Sequence, residues 1–368
     1  MKVLHLLAGG DVGGIETLMR DYAKYSKHEN HFIMLWGRDG KATTVIRAEG
    51  CPVVELQLKK GQELKGFRYI RKYCIKNHLD AVIAHHAAPL AHLYLLGLKY
   101  LMKNIKTIAY AHGAAEDMFR INDKKGLWLR KKILTLSLKR ADAVVAISNF
   151  VGKSLIDCFD TPVGKIHVIY NGTPLPEYQA PKVDKKRGKF KIVYVGRLIK
   201  EKGVQLTLEA LSKLKTDKEW SFYVIGDGPY RKQLEETSKN LGIDEKVIFM
   251  GSRSDVPQQL EEADIFIHFP VWREGFGITI IEAMAAGLVC ICGNVGAIPE
   301  IITDGDNGYL IEYLNRDVLA DVLADVLDKY DTSEMGRIRK NAVERAKQFS
   351  IESYTEKFEK VVGYYTIR

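Results

Sequence analysis

Five cysteines in 368 residues, at positions 51, 74, 158, 290 and 292, are too few and too irregularly spaced to staple a fold. Their number is odd, none sits in a CxxC pair and no histidine lies nearby at zinc-ligand spacing. A disulfide framework is thereby excluded, a reducing compartment without structural metal is expected, and small buried hydrophobes are the expected role. Long apolar runs are also lacking. The stretch 278–292 is interrupted by Glu282 and falls short of the roughly 20 residues that span a bilayer. The first eight residues carry one lysine and a short apolar stretch that runs into Gly9-Gly10-Asp11, so they read as a buried strand rather than a secretory leader. A cytoplasmic protein is expected. There is no internal repeat and no low-complexity tract. With 46% hydrophobic and 27% charged residues, disorder is excluded and the length suits about two domains.

What the chain does have is charge placed unevenly. Residues 1–176 hold 27 Lys and Arg against 15 Asp and Glu, a surplus of 12; the remainder holds 28 against 31, a deficit of 3. A basic half points to an anionic membrane surface, an acidic substrate or nucleic acid. No basic-aromatic module supports nucleic acid, which is therefore not an expected partner. Within this half, residues 123–140 interleave Lys124, Lys125, Arg130, Lys131, Lys132, Lys139 and Arg140 with Leu127, Trp128, Leu129, Ile133 and Leu134. Such a segment can lie on a membrane interface, or its apolar residues can pack under a sheet with the cations merely solvated.

Apolar strand-like runs alternate with helical patterns along the whole chain. The first half has them at 3–8, 31–36, 81–84, 107–111, 143–148 and 166–170, the second at 191–195, 221–225, 246–250, 265–269, 289–292 and 308–311. Strands separated by helices predict βαβ units and parallel sheets, hence two doubly wound α/β domains. Pro, Gly and charge cluster after Asn171-Gly172, which divides the chain into 1–172, a linker 173–189 and a second domain 190–350.

Open parallel sheets bind ligands beyond the carboxyl ends of their strands. The first strand runs into Gly9-Gly10-Asp11-Val12-Gly13-Gly14-Ile15-Glu16 before a helix expected from about Thr17. Glycines there let backbone amides approach an anion, and a tight strand-to-helix turn accounts for them equally. Neither the dinucleotide glycine spacing nor a P-loop is present. After the strand at 191–195 come Gly196, Arg197 and Lys202 in one loop, able to offer a forked donor and an ammonium to one phosphate-bearing ligand, or to be solvated surface cations. The densest constellation is Arg273-Glu274-Gly275-Phe276-Gly277-Ile278-Thr279-Ile280-Ile281-Glu282, where two acids eight positions apart flank a glycine loop and a helix start. Thr279 and Glu282 also fit a capping box, which leaves Glu274 unexplained. His112 ends the strand at 107–111, and His85 and His86 follow the strand at 81–84; with His92 they suggest metal only superficially.

Taken with Gly13-Gly14-Ile15-Glu16, His112-Gly113, Ala146-Ile147-Ser148, Asn171-Gly172, Glu201-Lys202-Gly203, Gly226-Asp227-Gly228-Pro229 and Ile298-Pro299-Glu300, the acid pair resembles glycosyltransferase family 4, retaining enzymes of GT-B fold. The resemblance covers nearly the whole chain. It implies a retaining hexosyltransferase with two Rossmann-like domains and a last segment, 351–368, whose helix returns to the first domain. It implies that Arg197 and Lys202 hold the donor diphosphate, with backbone amides of Gly13, Gly14, Gly275, Phe276, Gly277, Ile278 and Thr279 alongside. Glu274 would contact the donor sugar and Glu282 the ribose, while His112 would lie near the transferred sugar. Arg253, in the loop 251–255, would lie where the base is read. The implied donor is a nucleotide diphosphate sugar, most commonly of UDP, and the implied acceptor a glycan or a lipid-linked sugar, as in bacterial surface polysaccharide or glycolipid synthesis. No cofactor is implied: the Asp-x-Asp of metal-dependent transferases is lacking, Asp304-Gly305-Asp306 belonging to a downstream turn of the family. A phosphorylase, a nucleotide-sugar epimerase and a non-catalytic partner subunit are the alternatives of the same architecture.

Overall fold

A computed structural model describes residues 1–9, 14–36, 40–85, 89–116, 127–175, 188–312 and 314–364. It divides into two compact units, one formed by Met1–Pro174 with Ile351–Arg368 and the other by Leu175–Ser350. Most of the expected linker lies outside the described residues.

Unit 1 holds a seven-stranded sheet: β1 (Lys2–Leu7), β2 (Glu29–Met34), β3 (Val53–Glu55), β4 (Ala81–His85), β5 (Lys106–Ala111), β6 (Ala143–Ala146) and β7 (Ile166–Val168), ordered β3-β2-β1-β4-β5-β6-β7. Unit 2 holds six strands: β8 (Phe190–Val195), β9 (Trp220–Ile225), β10 (Val247–Gly251), β11 (Ile265–His268), β12 (Val289–Gly293) and β13 (Tyr309–Ile311), ordered β10-β9-β8-β11-β12-β13. Every strand pairing is parallel. The fold is α/β, as the alternation of runs predicted. Strands covered by helices on both faces read as unbroken apolar runs, and Val3, Leu4 and Leu6 of β1 are fully buried, as are Ile265, Phe266 and Ile267 of β11. The strand that sequence reading did not find is β3. It is three residues long, half-buried and at the sheet edge, so it carries too little apolar signal.

The helices of unit 1 are α1 (Gly14–Tyr25), α2 (Lys41–Ala48), α3 (Glu63–Lys76), α4 (Pro89–Leu101), α5 (Leu127–Arg140) and α6 (Asn149–Phe159). Those of unit 2 are α7 (Val204–Ser212), α8 (Arg231–Asn240), α9 (Val256–Glu261), α10 (Ile278–Ala285), α11 (Arg316–Lys329) and α12 (Ser333–Lys347). The last helix, α13 (Ile351–Tyr364), belongs to unit 1. Its first amide donates to the Thr173 carbonyl at 3.0 Å, and Glu359 Oε1 accepts from Ser26 Oγ at 2.8 Å and the Lys27 amide at 2.7 Å. Phe358 is fully buried against Tyr22 of α1 and Tyr110 of β5. No helix among the described residues is long and apolar enough to cross a membrane.

Candidate active site

In each sheet the strand order reverses once, between β1 and β4 in unit 1 and between β8 and β11 in unit 2. The chain leaves those neighbouring strands in opposite lateral directions, which opens a crevice at their carboxyl ends. In unit 2 the crevice is framed by two loops. One leaves β8 through Gly196 and Arg197 to a 3₁₀ turn, Lys200–Lys202, and enters α7 at Gly203; the other leaves β11 at His268 and reaches α10 through Glu274 and Gly277.

Backbone contacts fasten the loops together. The Glu201 carbonyl accepts from the amides of both Val271 (3.0 Å) and Trp272 (3.1 Å). Gly203 has φ +73°, and a Cβ there would stand 1.9 Å from the Phe269 carbonyl oxygen, so only glycine lets the two loops approach this closely. Lys202 and Glu274 are therefore neighbours before their charges act. Lys202 Nζ lies 2.6 Å from Glu274 Oε2, and His268 Nε2 donates to the same oxygen at 3.0 Å. Burial alone would push the Glu274 carboxyl up. The Lys202 ammonium and the His268 hydrogen bond outweigh it and hold the group ionised, well below the usual carboxylate range.

Sequence reading missed His268. It ends β11, is 2% exposed and lies parallel to the Tyr194 ring at 6.2 Å. The rule that singled out His112, a histidine at the carboxyl end of a parallel strand, applies to it equally. Arg197 is exposed and, among the described residues, has no ion-pair partner, so the two loop cations differ: Lys202 is engaged by Glu274 and Arg197 is not.

The start of α10 corrects the capping box. Gly277, at φ +110°, is the N-cap and no side chain caps the helix, so Thr279 lies in the first turn and Glu282 in the second. The amides of Ile278 and Thr279 thus stand at the positive end of the helix, with no side-chain cap on them among the described residues. Phe276 turns inward instead, 2% exposed and edge-to-face with Phe349 at 5.7 Å; it anchors the loop by its ring. The Glu274 carbonyl accepts from Ala297, which ties Gly275 and its neighbours to the following loop. Arg253 makes a two-pronged pair with Asp255 (2.7 and 2.6 Å), which draws the Asp255 carboxyl down to about 2.

In unit 1, Gly13 lies outside the described residues, and Gly14 is already the first residue of α1, three positions earlier than the expected helix start. His112 follows β5, bonded ring to ring with His85 at 2.9 Å and stacked on Tyr110 at 4.1 Å. His92 belongs to a different environment, its Nδ1 bonded to Ser137 Oγ, and His86 lies outside the described residues. Among the described residues no group of three or more His, Cys, Asp or Glu is placed to hold a metal ion.

The family models match the chain from near one end to near the other. Residues 12–176 match "Glycosyltransferase Family 4" and residues 177–349 match "Glycosyl transferases group 1". The chain belongs to glycosyltransferase family 4. N-acetyl-alpha-D-glucosaminyl L-malate synthase of Bacillus anthracis is 26% identical over 79% of this chain and 74% of its own. The lipopolysaccharide core mannosyltransferase LpsB of Rhizobium meliloti is 28% identical over 58% of this chain and 63% of its own. Among solved structures, Anabaena HepE in complex with UDP superposes with a TM-score of 0.86 at 21% identity, over 99% of this chain and 100% of that one, which shows that this family 4 chain has the GT-B fold.

Proposed function

We propose that this glycosyltransferase moves a hexose-type sugar, with retention at the anomeric carbon, from a nucleotide diphosphate sugar to a hydroxyl of a glycan or lipid-linked acceptor in surface polysaccharide or glycolipid synthesis. The observation that carries the reading is the Lys202–Glu274–His268 cluster at the switch point of unit 2, with Arg197 on the same loop as Lys202. Leaving diphosphate gains charge as the glycosidic bond breaks, and two cations with the first amides of α10 are suited to receive it without a metal. Glu274, held ionised, is suited to accept from sugar hydroxyls, and Glu282, in the second turn of α10, from a ribose. To His112, at the carboxyl end of the unit 1 sheet, we assign a hydroxyl of the transferred sugar. UDP is the first choice of nucleotide, supported by its presence in the HepE complex.

A panel of UDP, GDP, ADP and their sugars tests the donor. A ligand at 100 times its Kd adds about 2.7 kcal/mol to the stability of the folded state, a thermal shift of several degrees. Arg197→Ala is expected to weaken UDP by roughly 10- to 100-fold, the usual worth of a charged phosphate contact, while uridine affinity stays within twofold. Equal losses for both would remove Arg197 from the phosphate. Product NMR should show the donor's anomeric configuration retained; an epimer or phosphate-dependent cleavage from donor alone would replace transfer with one of the other reactions of this architecture.

The acceptor side carries a second expectation, membrane association at the inner leaflet of the cell. On α5, Leu134 and Leu138 are buried, but Trp128 is 72% exposed and Leu129 55%, with Lys132 over the Trp128 ring at 4.9 Å. The apolar residues at this end of α5 therefore do not all pack under the sheet. A cation near an anionic surface contributes about 1 kcal/mol, so the double change Lys131→Glu, Lys132→Glu should weaken co-sedimentation with phosphatidylglycerol vesicles on the order of 100-fold, and salt should weaken the unaltered protein. Binding indifferent to both would favour a soluble acceptor.

A further inference from the structure

Four polar side chains cross the core of unit 1 in a single file. Asn30 of β2, His5 of β1, His85 of β4 and His112 after β5 each come from the next strand of the sheet. Register explains the file. Asn30 pairs with Val3, so His5 is two residues further; His5 pairs with Ile83, so His85 is two further; His85 pairs with Tyr110, so His112 is two further again. Steps of two keep one face of the sheet, and diagonal neighbours at that offset are within reach of aromatic side chains. The contacts are His5 Nε2 to Asn30 Oδ1 (3.1 Å), His5 Nδ1 to His85 Nε2 (2.9 Å) and His85 Nδ1 to His112 Nε2 (2.9 Å). Asn30, His5 and His85 are buried, and Tyr22 of α1 and Phe358 of α13 pack on the His5 ring.

The direction of every bond follows from one end. Asn30 Nδ2 donates to the His28 carbonyl, which can only accept, so the amide oxygen must face His5. An amide oxygen can only accept too, so His5 donates from Nε2. A neutral imidazole has one donor and one acceptor, and burial pushes His5 down to about 4, against the pull of its Asn30 bond, which keeps the ring neutral at pH 7. His5 Nδ1 then accepts from His85 Nε2, and with His85 neutral as well its Nδ1 accepts from His112 Nε2. We propose that Asn30, His5 and His85 are positioning residues that hold His112 as its Nε2–H tautomer, presenting Nδ1 as the hydrogen-bond acceptor toward a ligand hydroxyl. That the hydroxyl belongs to the sugar being transferred rests on the function proposed above; the tautomer does not.

Long-range proton–nitrogen NMR of the full chain labelled at histidine reads the tautomers directly, with signals assigned by single replacements. His5, His85 and His112 should all be Nε2–H in the unaltered protein; an Nδ1–H form of His112 would overturn the proposal. Asn30→Leu should let an Nδ1–H population of His112 appear, and an unchanged spectrum in a folded variant would also overturn it. His85→Phe keeps the ring volume without donor or acceptor, whereas His85→Gln keeps one of each in the same sense. Turnover should fall about tenfold in the phenylalanine variant with donor KM within twofold, and the glutamine variant should recover most of it. Equal turnover in the two variants would reduce the file to packing. Absence of any sugar transfer by the unaltered protein would instead count against the proposed function, with the spectra still deciding the tautomers.

Discussion

Glu274→Gln will cost sugar transfer on the order of 100-fold in turnover while nucleoside diphosphate affinity stays within about threefold. One oxygen, Oε2, accepts from both Lys202 and His268, so the carboxylate fixes the ammonium and the imidazole at once. The pair is largely but not wholly shielded, with side-chain exposures of 27% for Lys202 and 16% for Glu274. A charge-assisted hydrogen bond lost at the reacting sugar is worth about 1.5–3 kcal/mol, or roughly 10- to 150-fold in a rate constant. The glutamine keeps the shape and loses the charge, so folding should survive. Steady-state turnover set beside calorimetric UDP binding checks it. Turnover within a few-fold of the unaltered protein would mean that the charge of Glu274 does not serve the reaction, and a matched loss of UDP affinity would move the residue to the nucleotide.

Gly203→Ala should be among the most damaging single methyl additions in unit 2. The residue needs φ +73°, and the new Cβ would meet the Phe269 carbonyl oxygen at 1.9 Å, a contact with backbone that no rotamer change relieves. Left-handed geometry alone costs about 1–2 kcal/mol, and forcing the loops apart brings the total to about 3 kcal/mol or more. For a unit of this size that is a fall in Tm of roughly 6–12 °C. Gly242→Ala is the control, because Gly242 has φ +67° with nothing within 4 Å of the added carbon. If the two alanine variants melt together, the loops carrying Lys202 and Glu274 are not fastened through their backbones. If Gly203→Ala melts lower, UDP affinity and turnover should fall with it, since the loop that carries Arg197 and Lys202 is displaced.

The parallel sheets were legible because both faces of each strand are covered, which turns a strand into a short unbroken apolar word. β3 was not, being an edge of three half-buried residues. Arg197, Lys202, Glu274 and Glu282 could be picked out by their position after strands and by family resemblance, but not who pairs with whom. That Lys202 rather than Arg197 reaches Glu274 depends on how the β8 and β11 loops are laced through Glu201 and Gly203, a tertiary fact with no local signature. Thr279 and Glu282 had the spacing of a capping box, yet Gly277 took the cap because its left-handed conformation lets the loop turn into α10. His268 was overlooked beside a louder acid motif. The histidine file was invisible for a different reason: its members are scattered from residue 5 to residue 112, and only the strand order makes them neighbours.

Helix α13 has a consequence for how the protein is made. The sheet of unit 1 emerges first from the ribosome, but the helix that covers His5, Tyr22 and Tyr110 is encoded after all of unit 2. At ordinary synthesis rates of roughly 5–20 residues per second, the earliest-born half waits on the order of ten seconds or more with an aromatic face uncovered. Unit 2, born later, holds its whole sequence first and can close first. Unit 1 is thus begun before unit 2 and completed after it, and a stop just before Ile351 releases a product whose unit 2 can be sound while its unit 1 lacks its cover.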